Sequence, residues 1–138
     1  MNHSAIHNNI FDQNSVSKIN LLGYAIQKIK LDPNTSLAYL VLSKEELEKF
    51  NFQKGDSEGF VNYCLSIKGV KNAVFLREDK SLIKISLRSK GDVKMNEFSQ
   101  KYYGGGGHQN AAGAAVESND IDIVTKTLIE NFRSFCSA

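Results

Sequence analysis

From Lys101 to Gly113 the chain reads KYYGGGGHQNAAG, and the four successive glycines, Gly104 to Gly107, restrict its folding more than any other segment. They strip every side chain from a stretch of backbone, so the chain can cross there only as a hinge, as a tight packing corner, or as a surface that something approaches closely. A hinge or corner is the plainer meaning of an isolated glycine run. The alternative is an anion site. Successive N–H groups free of side chains can turn toward one point, and a phosphate is the natural guest. A helical turn entered at His108 would add its own free N–H groups and dipole. Neither of the commoner phosphate patterns fits: no Lys-Ser or Lys-Thr follows at P-loop spacing, and Gln109 or Asn110 stands where GxGxxG needs its last glycine.

The neighbours favour the anion reading. His108 follows the glycines directly, where it can donate to a phosphate oxygen or stack on a base, and Ala111, Ala112 and Gly113 keep the next turn narrow. In SLIKISLR, Ile83, Ile85 and Leu87 alternate onto one face of a strand while Lys84, Ser86 and Arg88 take the other. Arg88 then emerges at the strand end beside Ser89, and its planar fork can hold a phosphate through two hydrogen bonds. Without the glycines it would read equally well as a solubilising edge-strand charge. Asp56-Ser57-Glu58-Gly59 sits at a helix start, where Asp56 serves as a cap, and Arg77 lies near a turn as a solvated charge. Tyr102 and Tyr103 could stack on bases, although Tyr102 fits a core position equally well.

The remaining pattern is that of one domain. With 138 residues and 41% hydrophobic content, the chain can bury a real core. Apolar positions Ile19, Leu22, Ile26 and Ile29 predict an amphipathic helix over 15–30, stopped by Asp32, Pro33 and Asn34. Leu37 to Leu42 predicts a buried strand, and Ser43 with Glu46 a capping box opening a helix. Asp56 or Ser57 caps a helix that buries Phe60, Cys64 and Leu65 and ends at Gly69. Val70 to Leu76 and Ser81 to Arg88 form a hairpin. Met95, Phe98 and Tyr102 mark a helix, Ala111 to Val116 a helical turn passing into a strand, and Ile121, Val124, Leu128, Phe132 and Phe135 a last helix capped by Asn119 or Asp120. The expected fold class is α/β, a mixed β-sheet flanked by helices.

A net charge of +2 excludes the broad basic field that holds long duplexes, so any grip on nucleic acid is local. Cys64 and Cys136 lack CxxC spacing and read as buried, reduced thiols. No run approaches the ~20 apolar residues of a membrane span, and the polar start is unlike a signal peptide, so a cytoplasmic location is the expectation. Residues 1–14 read as a linker or polar tail, and 15–138 as the domain.

GGGGHQNAAG closely resembles the GGGGHxxAAG signature of the DHH-associated domain that follows the catalytic domain in DHH-family phosphoesterases of the oligoribonuclease and pAp-phosphatase (nanoRNase) branch. The SLRS element, GDVKMNEFSQKYY and GDSEGFVNYCLSIKGV extend the likeness over Leu21 to Phe132. The resemblance implies the DHH-associated C-terminal domain fold. It also implies a division of labour, in which an N-terminal DHH domain holds manganese and activates water while this domain closes over the substrate. Arg88 and Ser89 would contact phosphate or ribose, Gly104, Gly105, Gly106 and Gly107 would receive the terminal phosphate and nucleotide, and His108 would hold the phosphate nearest the cleaved bond.

The chain has no Asp-His-His triplet, and its three histidines, His3, His7 and His108, are too few for a two-metal site. It is therefore expected to bind no metal and to be inactive alone. The expected role is substrate binding for a manganese phosphoesterase acting on nanoRNA, short DNA, dinucleotides or adenosine 3′,5′-bisphosphate, with the catalytic domain as partner. The competing role is a non-catalytic single-stranded RNA or nucleotide-binding module.

Overall fold

A computed structural model describes residues 15–138. Ser15 accepts the Lys18 N–H and opens α1 (Val16–Lys28), which leads through β1 (Lys30–Asp32) and a 3₁₀ turn at Pro33–Thr35 into β2 (Leu37–Leu42). The expected capping box is formed: Ser43 Oγ accepts the Glu46 N–H while the Glu46 carboxylate accepts the Ser43 N–H, starting α2 (Lys44–Lys49). Then follow α3 (Phe60–Leu65), β3 (Asn72–Asp79), β4 (Leu82–Ser89), α4 (Met95–Tyr103), β5 (Gly106–His108), β6 (Ala111–Glu117) and α5 (Ile121–Ser137).

The strands make one mixed sheet in the order β1-β2-β3-β4-β6-β5, with β2 and β3 parallel and every other pair antiparallel. Alternation gives the sheet two apolar faces, each with its own core. On one, Ala38, Leu40, Ala73 and Phe75 pack under α1 and α3 through Leu21, Ala25, Phe60 and Cys64. On the other, Leu37, Val74, Leu76 and the expected Ile83, Ile85 and Leu87 pack under α4 and α5 through Phe98, Leu128 and Phe132. Phe98 is the hub of the second core, meeting Phe132 edge to face at 5.2 Å between ring centroids.

Several local expectations are corrected. The buried stripe of α1 is Leu21 and Ala25, while Ile19 and Ile26 are about half exposed, because close approach to α3 and β2 selects the small Ala25. Pro33 opens the 3₁₀ turn instead of ending α1, and β1 lies between them. The cap of α3 is Gly59 in a left-handed conformation, φ 88°, while Asp56 accepts the Gln53 N–H one turn earlier. That helix closes at Ser66, before Gly69. Glu78, Asp79 and Lys80 would read as the connection between β3 and β4, but Glu78 and Asp79 are paired in the ladder and Asp79 faces Leu82, leaving only Lys80 and Ser81 between the strands. Ala111 to Val116 is strand throughout, with no helical turn. Cys64 is buried, and burial pushes its thiol up to about 11, but Cys136 is exposed. The reading of 1–14 as a tail, together with His3 and His7, lies outside the described residues. Among those described, no helix is long and apolar enough to cross a membrane.

Candidate functional site

The β-ladders set the geometry of the site. Residues paired directly across neighbouring strands point their side chains to the same face. Ala38 pairs with Ala73, Ala73 with Arg88, Arg88 with Ala111, and Ala111 with His108, a single row across five strands. Ala38 and Ala73 lie under the α1/α3 layer, so Arg88 and His108 share that face. Two ladder steps separate them, about 10 Å between Cα atoms. The next row runs Leu40, Phe75, Ser86, Gly113, Gly106. Where the row leaves the helices its side chains become small or absent: Ala111 and Gly113 are half-buried, and Gly106, His108 and Ala115 are exposed. The result is a bare shelf with a guanidinium on its inner rim and an imidazole on its outer rim.

The four glycines have four different reasons. Gly104 ends α4 with φ 64°, donating its N–H to the Gln100 carbonyl, the usual task of a left-handed helix cap. A Cβ at Gly105 would lie 2.3 Å from the Gly113 carbonyl oxygen and 2.4 Å from Ser99 Oγ, so packing alone demands glycine. Gly107 has φ 139°, and a Cβ there would lie 2.5 Å from Ala112 Cα. Gly106 differs: its φ is not positive and nothing lies within 4 Å of where its Cβ would be. Nothing among the described residues requires glycine at 106, so the missing side chain points to an approach from outside.

The anion cradle expected from four converging amides does not form. The N–H groups of Gly104 and Gly105 are donated to the Gln100 and Ser99 carbonyls, and β5 is extended, so its N–H groups alternate in direction. The expected helical turn at His108 is replaced by a hairpin through Gln109 and Asn110. Because β5 is an edge strand, every second N–H of Gly106–His108 faces outward, unpaired by β6.

The hairpin tip is fixed from β4. Ser89 donates its N–H to the Asn110 carbonyl, and Met95 donates to the Gln109 carbonyl. Ser89 Oγ donates to Val93 O at 2.8 Å and accepts from Asn110 Nδ2 at 2.9 Å. Ser89 is buried, on the face opposite Arg88, and its hydroxyl is occupied within the protein. The geometry gives it a positioning task and does not bring it onto the shelf. The sequence reading missed Asn110, whose short side chain at a turn was the available signal. Arg88 Nη1 donates to Leu87 O at 2.9 Å and to Ala112 O at 3.4 Å, which lays the guanidinium over β6. Among the described residues its Nε and Nη2 have no partner.

Other candidates fall away from the shelf. Tyr102 and Tyr103 pack on Phe98 in the α4/α5 core, on the face of the sheet away from Arg88 and His108. Arg77 lies over the Phe52 ring and 3.9 Å from Asp79. Among the described residues, no three His, Cys, Asp or Glu side chains cluster as metal ligands. The rows of Arg88 and Ser86 offer one imidazole and no carboxylate, which does not fit a two-manganese centre.

The DHHA1 domain family matches residues 34–134, from the turn before β2 to near the end of α5, with the shelf inside it. The chain belongs to the DHHA1 family. It is 33% identical over 114 residues to the "Bifunctional oligoribonuclease and PAP phosphatase NrnA" of Bacillus subtilis, covering 80% of this chain and 36% of that protein. The protein of the same name from Thermus thermophilus is 37% identical over 78 residues, covering 56% of this chain and 24% of that one. Among solved structures, an exopolyphosphatase-related protein from Bacteroides fragilis superposes on the whole of this chain and 41% of its own, with a TM-score of 0.82 and 36% identity. This chain spans roughly a quarter to two fifths of the length of these relatives.

Proposed function

We propose that this DHHA1 domain is the substrate-gripping part of a DHH-family phosphoesterase acting on short oligonucleotides, namely nanoRNA and dinucleotides, on adenosine 3′,5′-bisphosphate, or on both. The observation that carries this reading is the shared row of Arg88 and His108 across the bare Gly106 shelf. A nucleotide's sugar-phosphate lies flat on Ala111, Gly113 and Gly106. Arg88 Nε and Nη2 take one phosphate, while His108 and an outward amide of β5 hold the phosphate nearer the cleaved bond. The reaction itself belongs to a DHH catalytic domain outside this chain, where bound manganese would supply the attacking water. Neither Gly104 nor Gly105 touches the ligand in this arrangement; they fix where β5 begins.

Short ligands suit the site because the grip is local and the net charge small. Calorimetric titration of the chain with adenosine 3′,5′-bisphosphate and with adenylate oligomers of increasing length tests the reading. Affinity should level off at two to a few nucleotides, and Arg88→Ala or His108→Ala should weaken it by about 10- to 100-fold, the value of a charge-assisted hydrogen bond of about 1.5–3 kcal/mol. Affinity that keeps rising with length would favour a module for long single strands. Unchanged binding in both variants would end the assignment.

A further inference from the structure

A second cavity, of about 370 Å³, lies on the opposite face of the sheet and near its opposite edge. Its walls are Tyr39 and Val41 from β2 and Ile121, Thr125 and Ile129 from α5. Tyr39 and Val41 belong with the α4/α5 core, whereas Arg88 and His108 share the α1/α3 face, and β3 lies between the cavity's strand and the first strand of the shelf. No ligand of the phosphate shelf can reach it. The volume lies within the range of small-molecule sites, about 300–1,000 Å³.

Its mouth carries charge in an uneven pattern. Lys28 donates to the Val41 carbonyl at 2.8 Å and to the Glu46 carboxylate, which also accepts from the Tyr24 hydroxyl and the Ser43 N–H. That network is closed, so the two charges cancel and form a fixed wall. Burial pulls the Glu46 carboxyl up, but Lys28, the Ser43 N–H and Tyr24 outweigh it and hold the group ionised, at about 2. Lys30 is paired with Tyr39 across β1 and β2, which puts its side chain on the cavity face beside the Tyr39 ring. Lys126 lines the other lip from α5. Among the described residues neither Lys30 nor Lys126 has an ion-pair partner, and Asp122 is the remaining carboxylate at the mouth. Two free cations against one carboxylate leave a surplus of one positive charge above a slot with aliphatic and aromatic walls. Such walls favour an apolar body, and such a rim favours a single negative charge.

We infer that the cavity between β2 and α5, rimmed by Lys30 and Lys126, is a second ligand site for a small aromatic monoanion, an aryl carboxylate or an aryl sulfonate. It is independent of the phosphate shelf. Titration with 8-anilinonaphthalene-1-sulfonate, an aromatic monoanion whose fluorescence rises in apolar surroundings, tests this on the full chain. The expected result is saturation at one dye per chain, at least tenfold weaker binding in Lys30→Glu/Lys126→Glu, and unchanged binding in Arg88→Ala/His108→Ala. The lysines are exposed, so the reversed protein should keep its melting temperature. Displacement of the dye by benzoate, by benzenesulfonate or by both supports the site and identifies its head group. Displacement by neither overturns the proposal, as does non-saturating dye uptake or equal affinity in the charge-reversed protein. Loss of dye binding in the shelf variant would also overturn it, since the two sites would then not be separate.

Discussion

Placing one methyl group at Gly105 or at Gly106 separates what packing requires from what the ligand requires. In Gly105→Ala the new Cβ meets the Gly113 carbonyl oxygen at 2.3 Å, Ser99 Oγ at 2.4 Å and Ala114 Cβ at 2.8 Å. Two of these obstacles belong to the paired strand β6, and the third is held by the Ser99 Oγ–Gly113 O hydrogen bond of 2.8 Å, so nothing can swing aside. Overpacking of this kind costs about 1–3 kcal/mol or more. For a chain of this size that lowers the melting temperature by about 4–12 °C. In Gly106→Ala the Cβ meets nothing within 4 Å and the backbone is not left-handed. Reduced freedom of the unfolded chain should then stabilise the protein by about 0.4–1 kcal/mol. The same methyl stands on the floor of the shelf, and displacing a phosphate by even part of its diameter removes one charge-assisted hydrogen bond, a loss of about tenfold or more in affinity. Thermal melts of both variants beside calorimetric titration with adenosine 3′,5′-bisphosphate give the readout. Wild-type affinity in a stably folded Gly106→Ala would refute the argument, and so would equal destabilisation by the two substitutions.

Further expectations follow from the same geometry. Asn110→Ala should cost about 0.5–1.5 kcal/mol of stability for its hydrogen bond to Ser89 Oγ, Ser89→Ala should cost more because the bond to Val93 O is lost as well, and the double variant should cost little more than Ser89→Ala alone, as a thermodynamic cycle would record. Asp32 accepts two hydrogen bonds from Arg133, at 2.8 and 3.2 Å, and these hold its carboxyl below the ordinary range despite burial. Its contribution is therefore present above the unfolded pKa and is lost as pH falls through the folded one, so Arg133→Met should unfold at a lower temperature near neutrality and show a shallower loss in acid. Glu46 titrates at about 2 in the fold against 4.5 unperturbed, so stability should decline between those values, and Lys28→Met should move that decline to higher pH in acid-unfolding curves.

The parts of the fold that could be read from the sequence are those where one physical rule acts alone. Alternation in SLIKISLR put Ile83, Ile85 and Leu87 in the core and Arg88 on the other face, as found. The Ser43/Glu46 box and the Asp120 cap are local hydrogen bonds and were legible from spacing. The orientation of α1 was not, because apolar residues lie around more than one face and packing against α3 chose Leu21 and Ala25. The glycine run by itself admits a hinge, a packing corner or an anion site, and its division into a helix cap, two packing contacts and one open position depends on α4 and β6, which no local rule supplies. Ser89 looked like a ligand group because it follows Arg88, yet a strand turns adjacent residues to opposite faces, and its hydroxyl serves Asn110 instead.

The most direct test of the phosphate shelf is an amide and guanidinium NMR titration of the labelled chain with a 5′-phosphorylated dinucleotide. The account predicts that the Arg88 Nε–H, the His108 ring and the amides of Gly106 and Gly107 shift together and saturate at one equivalent, with Tyr39 and Ile129 undisturbed. Saturating shifts that leave Arg88 and His108 unmoved, or that move only one of them, would contradict it.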